Sequence, residues 1–497
     1  MADIVEIERK YDVDPGFVVP DLSGLPGCAG VAGPETHLLV AAYFDTEDLR
    51  LAARGITLRR RRGGEDAGWH LKIPCGPDAK NELRAPLGKT QNVPARLASL
   101  VTAYTRGERL RPVARLETRR TVTRLLGAAG EVLAEVADDS VSGQVLDQVV
   151  DDTTVTAWRE IEVELGPAGS TDLLTRAGKR LRRAGARRAA SGSKLARLLR
   201  VPASAGGRGP TWSTAGDVAV GYLAGQVDTL LAYDPRVRLR EYDSVHKMRV
   251  AVRRIRSILK SYGPVLDRAK TDQLQPELKW LADALGEVRD LEVLRERFAG
   301  RLADLAAEGS HPWLDAMAEQ EQAAYRRLAA TLKEPRYFAL LDALDRLVAA
   351  PPLTARARRP IDKEVPRLVI RSWHRLARTY ATIQTAEDHD AARHETRKAA
   401  KRARYTAEAA APALGRPAAN VAAQAESMQE VLGRVQDGVL ARRHLAGTAE
   451  TVTDPRESFT LGALSGVEYC AAVSALHEVD AVWRRASDPR HLRRLGG

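Results

Sequence analysis

Along roughly the first 200 residues, polar and apolar positions alternate with a period of two. VEIERKYDV (5–13), ITLRRRR (56–62), GWHLKIP (68–74), EVLAEVADDSV (131–141) and TAWREIEVELG (156–166) all keep this rhythm, and Gly or Pro clusters bound several of them. The pattern predicts strands joined by turns. LLTRAGKRLRRAGA (173–186) breaks the rhythm with a helical spacing. A small-residue run, VPASAGGRGPTWSTAG (201–216), then has the composition of a flexible joint. Beyond it the apolar spacing changes to three and four, in segments rich in Ala, Leu, Arg and Glu, which predicts helices throughout.

The helical half repeats itself. HKMRVAVRRIR begins at His246 and HETRKAAKRAR at His394; LGEVRD begins at Leu285 and LGRVQD at Leu432. The offsets, 148 and 147 residues, agree to within one position, as expected for a duplicated helical unit. The expected organisation is a strand-rich unit over 1–200, a linker over 201–215, and two helical repeats over 216–350 and 351–497.

The strands carry an oddity: their polar faces are charged. Glu6, Glu8 and Lys10 form one row, Arg59 and Arg61 another, Lys72 stands in a third strand, and Glu160, Glu162 and Glu164 share the polar face of a fourth. Such a face in open water is the ordinary reading, but like charges two residues apart repel. The acidic and basic rows lie mostly on different strands, so a closed sheet could oppose them. A barrel of about eight strands is just wide enough to hold one small ligand. Arg and Lys rows bind phosphate oxygens, and clustered carboxylates hold Mg²⁺ or Mn²⁺ that bridge to phosphates. Opposed walls of this kind describe a site for a linear polyphosphate and a divalent metal.

In the first helical repeat, His246, Arg249, Arg253, Arg256 and Lys260 step by three and four along one stripe, with Val245, Met248, Val252, Ile255 and Leu259 one position earlier. The first stripe is a line of cations and the second a buried seam. His394, Arg397, Lys401 and Arg404 renew the basic line in the second repeat, where Glu408 takes the place of Lys260. Asp290 and Asp437 are expected to anchor helix ends or orient the basic residues.

Composition supports a polyanionic partner. The 497 residues carry a formal charge of +12, divided +4 and +8 between residues 1–200 and the remainder. Aromatics, at 5%, are thin for a protein that stacks nucleobases, so nucleic acid is not the expected partner. Cys28, Cys75 and Cys470 are too scattered for a disulfide framework or zinc site. No apolar leader and no run of 18 uninterrupted apolar residues is present, so the expected setting is the cytoplasm without a membrane span.

The first 200 residues resemble the CYTH domain, the triphosphate tunnel metalloenzyme fold, through the Glu-x-Glu-x-Lys strand of Glu6, Glu8 and Lys10. YFDT at Tyr43, LRRR at Leu58, LK at Leu71 and SK at Ser193 follow in the family's order. The helical half resembles the CHAD domain through VHKMRVAVRRIRSIL, RHETRKAAKRARYTAE, LGEVRD and MQEVLGRVQD. The resemblance implies a two-domain α+β chain, an antiparallel β-barrel followed by two duplicated helical bundles. It implies that Lys10, Arg59, Arg61, Lys72, Arg119 and Lys194 bind a triphosphate, and that Glu6, Glu8, Asp139, Glu162 and Glu164 hold Mg²⁺ or Mn²⁺. Parity leaves Arg119 and Arg120 as competitors; Asp139 is chosen over Asp138 because it shares a face with Glu135 and Ala137. His246, Arg249, Arg253, Arg256, Lys260, His394, Arg397, Lys401 and Arg404 are implied to bind inorganic polyphosphate, which would associate the protein with polyphosphate granules. The expected activity is metal-dependent hydrolysis of inorganic triphosphate or a related compound. The alternatives are a non-catalytic polyphosphate-binding protein, and the adenylate cyclase or thiamine triphosphatase chemistry of the same fold.

Overall fold

The computed structural model describes residues 3–76, 78–146, 155–201, 212–306 and 309–495. Most of the expected linker lies outside the described residues. The chain forms two compact units that part at residues 209 and 210.

The first unit is a closed antiparallel barrel of eight strands: β1 (Asp3–Val13), β2 (Gly30–Asp45), β3 (Thr57–Arg62), β4 (Gly68–Pro74), β5 (Ala79–Ala85), β6 (Arg111–Leu126), β7 (Val132–Val145) and β8 (Thr156–Leu165). They are hydrogen-bonded in the order β5-β4-β3-β2-β6-β7-β8-β1, and β1 pairs back onto β5 to close the ring. A two-residue strand, β9 (Arg187–Arg188), adds to β1. Three short helices, α1 (Arg50–Ala53), α2 (Ala95–Leu100) and α3 (Thr102–Thr105), lie in the connections.

Helix α4 (Thr171–Arg183) decides which way the charged rows point. Its buried Leu173, Leu174, Ala177 and Leu181 pack on Tyr11 and Val13 of β1, Ala134 and Val136 of β7, and Ile161 and Val163 of β8. With that apolar face turned out against α4, the strand period of two sends Glu6, Glu8 and Lys10, Glu135 and Asp139, and Glu160, Glu162 and Glu164 inward. Helix α5 (Lys194–Leu198), capped by Ser193, sets Leu195 and Leu198 on Ala41, Tyr43, Leu116 and Val141 and stops one end of the interior.

The second unit is all helical: α6 (Ala215–Leu239), α7 (Ser244–Ser261), α8 (Arg268–Thr271), α9 (Leu274–Asp304), α10 (Pro312–Thr331), α11 (Pro335–Ala349), α12 (Ile361–Ala381), α13 (His389–Leu414), α14 (Arg416–Ala449), α15 (Pro455–Ala486) and α16 (Arg490–Arg493). A capping box between Thr214 and Asp217 starts α6. Helix α7 packs on α6 and α9, α13 packs on α12 and α14, and α7 and α13 meet each other. Val245, Met248, Val252, Ile255 and Leu259 are all completely buried, so the apolar seam of α7 is core. Helix α15 is long and apolar enough to cross a membrane by length and composition. Its Glu468, however, is fully buried and accepts from Arg297 and Arg301 of α9, the latter at 3.3 Å.

Candidate functional site

The barrel holds a cavity of about 270 Å³ lined mainly by charged side chains. Register places the charges opposite one another. Lys10 faces Glu162 and Glu8 faces Glu164 across β1 and β8; Arg120 faces Asp139 across β6 and β7; Lys72 faces Glu82 across β4 and β5.

The interior falls into two carboxylate clusters bridged by Lys10, whose Nζ donates to Glu8 Oε2 at 2.8 Å and also to Glu162. In the first cluster, Lys80 donates to Glu8 Oε1 at 2.8 Å, Lys72 pairs with Glu6, and Arg84 pairs with Glu82. Glu164 lies beside them without an ion pair or hydrogen bond among the described residues. Burial and the nearby Glu6, Glu8 and Glu162 push its carboxyl up to about 7. In the second cluster, Arg120 donates to both oxygens of Asp139, at 2.8 and 2.6 Å, and to Glu162. Lys194 lies 2.7 Å from Asp139, 2.9 Å from Glu160 and 2.6 Å from Glu162. Burial opposes ionisation of Glu162, yet Lys10, Lys194 and Arg120 hold it well below the usual carboxylate range.

The basic wall is Arg59 and Arg61. Arg59 Nη1 donates to Tyr43 OH at 3.4 Å, and Arg61 pairs with Asp66. Burial, with Arg59 and Arg120 nearby, lowers Arg61 to about 9, and the buried Nε of Arg59 and of Arg61 has no hydrogen-bond partner among the described residues. Fully buried His70 bridges Glu82 Oε1 at 2.8 Å and the Asp66 carbonyl at 2.9 Å, tying this wall to β5.

The structure therefore brings together Glu6, Glu8, Lys10, Arg59, Arg61, Lys72, Asp139, Glu162, Glu164 and Lys194. Arg119 is a correction: its side chain is exposed on the outer face of β6, and Arg120 is the arginine of the interior. Asp138 likewise faces outward, paired with Arg159 at 2.6 Å. Sequence reasoning missed Lys80, Glu82 and Arg84, although AKNELRA carries the same alternation as the other strands. Glu160, on the same face as Glu162 and Glu164, is buried beside Lys194.

A divalent cation fits this donor set. The donors are oxygens only, the choice of a hard cation, and partnerless Glu164 among three other carboxylates would ionise most readily with a cation beside it.

In the helical unit, Arg249 Nη1 donates to Asp290 at 2.9 Å, and its repeat-mate Arg397 lies 3.6 Å from Asp437. Each guanidinium runs over a glycine. A Cβ on Gly286 would stand 3.2 Å from Arg249 Nη2, and one on Gly433 would stand 3.0 Å from Arg397 Nη2. Arg253 Nε donates to Tyr405 OH at 3.0 Å, and its guanidinium lies over the Tyr405 ring. Lys401 has no ion pair among the described residues; burial, then Arg397, Arg253 and Arg249, lower it to about 7. Arg256 and Lys260 continue the track, with Arg402 and Arg375 adding their charge beside Lys260. Half-buried His246 and exposed His394 are both lowered first by burial. Arg404 pairs with Glu408 at 2.7 Å and Glu426 at 2.8 Å, so two carboxylates already share its charge.

The CYTH domain family profile matches residues 5–199 and the CHAD domain profile residues 221–446. The chain belongs to the CYTH and CHAD families. An uncharacterized protein of Mycobacterium tuberculosis, Rv2226, is 38% identical over 501 residues, covering 97% of this chain and 96% of that protein. Among solved structures, PptA from Streptomyces chartreusis is 22% identical with a TM-score of 0.48, covering 55% of this chain and 100% of its own. The CHAD domain from Ricinus communis is 23% identical with a TM-score of 0.46, covering 56% and 97%. CYTH domains are metal-dependent, bind triphosphate substrates and act as triphosphatases or cyclases.

Proposed function

We propose that the tunnel hydrolyses inorganic triphosphate, or a closely related triphosphate, and that the helical unit binds inorganic polyphosphate. The observation that carries the first part is the opposition of a basic wall, Arg59 and Arg61, whose buried Nε atoms have no hydrogen-bond partner among the described residues, to a carboxylate cluster holding Glu164. Arg59 and Arg61 present guanidinium forks to phosphate oxygens; Lys10, Lys72 and Lys194 add point charges along the chain. Glu6, Glu8 and Glu164 would hold Mg²⁺ or Mn²⁺, which supplies charge neutralisation and a more acidic water when bound. The closed barrel holds the substrate in line among fixed charges, which is most of what phosphoryl transfer asks of a protein. Among the described residues Tyr43 is the one phenol in the lining, which gives a nucleobase little to stack on and favours a triphosphate without one.

For the helical unit, Arg249, Arg253, Arg397 and Lys401 gather where α7 meets α13, and Lys401 has no ion pair among the described residues. A flexible polyanion supplies that charge, and such binding would place the protein on cytoplasmic polyphosphate granules. The test is phosphate release by the full chain with Mg²⁺ or Mn²⁺ from tripolyphosphate, ATP and long polyphosphate, with Glu6→Gln/Glu8→Gln as control. Release from tripolyphosphate that the double variant loses supports the triphosphatase. No release from any of the three, with tight long-chain binding, leaves a polyphosphate-binding protein.

A further inference from the structure

A guanidinium held in place by a carboxylate shares its charge with its holder. Arg249 and Arg397 are oriented in this way by Asp290 and Asp437. Arg254 pairs with Glu408 at 2.9 Å, and Arg404 pairs with Glu408 and Glu426. Arg253 has a different holder. Its Nε donates to Tyr405 OH at 3.0 Å, and it has no ion pair among the described residues. A hydroxyl oxygen accepts the hydrogen bond without a net charge of its own, so it fixes the direction of the guanidinium and leaves the full positive charge to a ligand.

Burial fixes Tyr405 itself. Its side chain, on α13, is 2% exposed, and Arg253 comes from α7, so the bond crosses from one helical repeat to the other. The guanidinium carbons of Arg253, Arg254 and Arg404 lie 5.9, 5.5 and 5.8 Å from the centre of its ring, within reach of the ring's negative face. Tyr262, just past the end of α7, donates its hydroxyl to the Thr406 carbonyl at 3.4 Å and ties the next residue of α13 to the same neighbour. The arrangement is one-sided. The repeat offset of 148 sets Lys401 against Arg253 and Tyr405 against Ser257. The buried Ser257 Oγ has no hydrogen-bond partner among the described residues. The second repeat thus lends a phenol to the first and receives none in return.

We propose that Tyr405 is a positioning residue of the polyanion track, which aims Arg253 across the repeat boundary and leaves its charge un-neutralised for the ligand. The proposal rests on the reading of the helical unit as a polyphosphate-binding module. It makes Arg253 the permanent cation of the junction, beside Arg254 and Arg404, whose charges Glu408 already shares.

The test is titration of the full chain with long polyphosphate in chelator at several salt concentrations, beside thermal melts of the same samples. Tyr405→Phe keeps the ring and removes the hydroxyl. It should stay folded and bind about fivefold more weakly at low salt, the upper end for one ion pair in reach of water. The slope of log affinity against log salt should fall by about one, as one guanidinium leaves the polyanion. Arg253→Gln should weaken binding at least as much, and adding Tyr405→Phe to it should change nothing further. A loss from Tyr405→Phe that is as large in the Arg253→Gln background overturns the proposal, because the phenol then acts through the packing of α13 alone. So does a folded Tyr405→Phe with wild-type affinity and slope. If Tyr405→Phe does not fold, Arg253→Gln set against Arg254→Gln decides: a loss confined to Arg253 supports the proposal, and equal losses overturn it. Wild type that binds no long polyphosphate removes the reading of the helical unit and the role of Tyr405 with it, whereas wild-type binding that Tyr405→Phe retains removes the role of Tyr405 alone.

Discussion

Arg120 and Asp139 close a two-bond clasp inside the barrel, Nε to Oδ1 at 2.8 Å and Nη2 to Oδ2 at 2.6 Å, while Arg119 next to it points to solvent. Asp139 is fully buried, so losing the guanidinium leaves an under-compensated charge, which costs about 3–5 kcal/mol at buried pairs. Arg120→Ala should therefore unfold at clearly lower denaturant and lose tripolyphosphate binding. Arg119→Ala should stay within about 0.5 kcal/mol of wild type. Chemical denaturation of the two variants side by side checks both, and equal destabilisation would contradict the inward placement of Arg120.

Lys401 should make the proposed polyphosphate binding depend on pH. It is lowered to about 7, against about 10.4 for a free lysine. Between these values the unfolded chain holds a proton that the folded chain has released, so stability gains from Lys401 as pH rises from 7 toward 10. Binding has the opposite sign. A polyanion favours the ammonium, so binding takes up a proton and affinity weakens as pH climbs past 7. The groups that set this balance are Arg397, Arg253, Arg249 and Asp437. Titrations with long polyphosphate at pH 7 and pH 9 should differ by roughly tenfold, within the limit of tenfold per pH unit for one linked proton. Lys401→Arg should flatten the profile. His246 and His394 are lowered from the ordinary histidine value, so both are mainly neutral across this range.

The glycines under Arg249 and Arg397 separate folding from binding. Gly to Ala in a helix interior gains up to about 1 kcal/mol from propensity. At Gly286 and Gly433 the new methyl would stand 3.2 and 3.0 Å from a guanidinium nitrogen and must move it. Gly286→Ala and Gly433→Ala should melt no lower than wild type yet bind polyphosphate several-fold more weakly, as calorimetry and a binding titration on the same samples would show. Weaker binding accompanied by a large loss of stability would count against a seat for the arginine.

These glycines also show how much was legible in the sequence. LGEVRD and LGRVQD identified the repeat, and their aspartates do orient the two arginines. The glycine's purpose could not be read, because it depends on a side chain arriving from another helix. In the barrel, β1, β4, β7 and β8 were legible because apolar residues alternate with polar or charged ones over much of their length. Strand β2, GVAGPETHLLVAAYFD, does not alternate cleanly, and β6, RPVARLETRRTVTRLL, carries charge on both faces. That ambiguity is also why parity could not choose between Arg119 and Arg120: only the pairing of β6 with β7 fixes the inward residue. The partners of Arg404 were hidden for a related reason, since Glu426 comes from α14.

Glu408 offers a case where affinity and stability should move apart. It stands where the first repeat has Lys260, and it accepts from Arg404 Nε at 2.7 Å, pairs with Arg254 at 2.9 Å and takes a hydrogen bond from Tyr222 OH at 3.4 Å. Its side chain is 22% exposed, so the pairs are only partly desolvated. Glu408→Gln keeps the shape and one acceptor while removing the charge, which should cost about 1–2 kcal/mol through weakened charge-assisted hydrogen bonds. The same change adds one net positive charge beside the basic track. Arg404 remains held by Glu426, but Arg254 loses its charged partner and becomes available to a polyanion. Polyphosphate affinity should rise a few-fold at low salt, and the gain should shrink toward 1 M salt, where the Debye length falls to about 3 Å. Affinity that drops together with stability would show that Glu408 holds the binding surface in shape, and that the Arg254 and Arg404 charges never reach the polyanion.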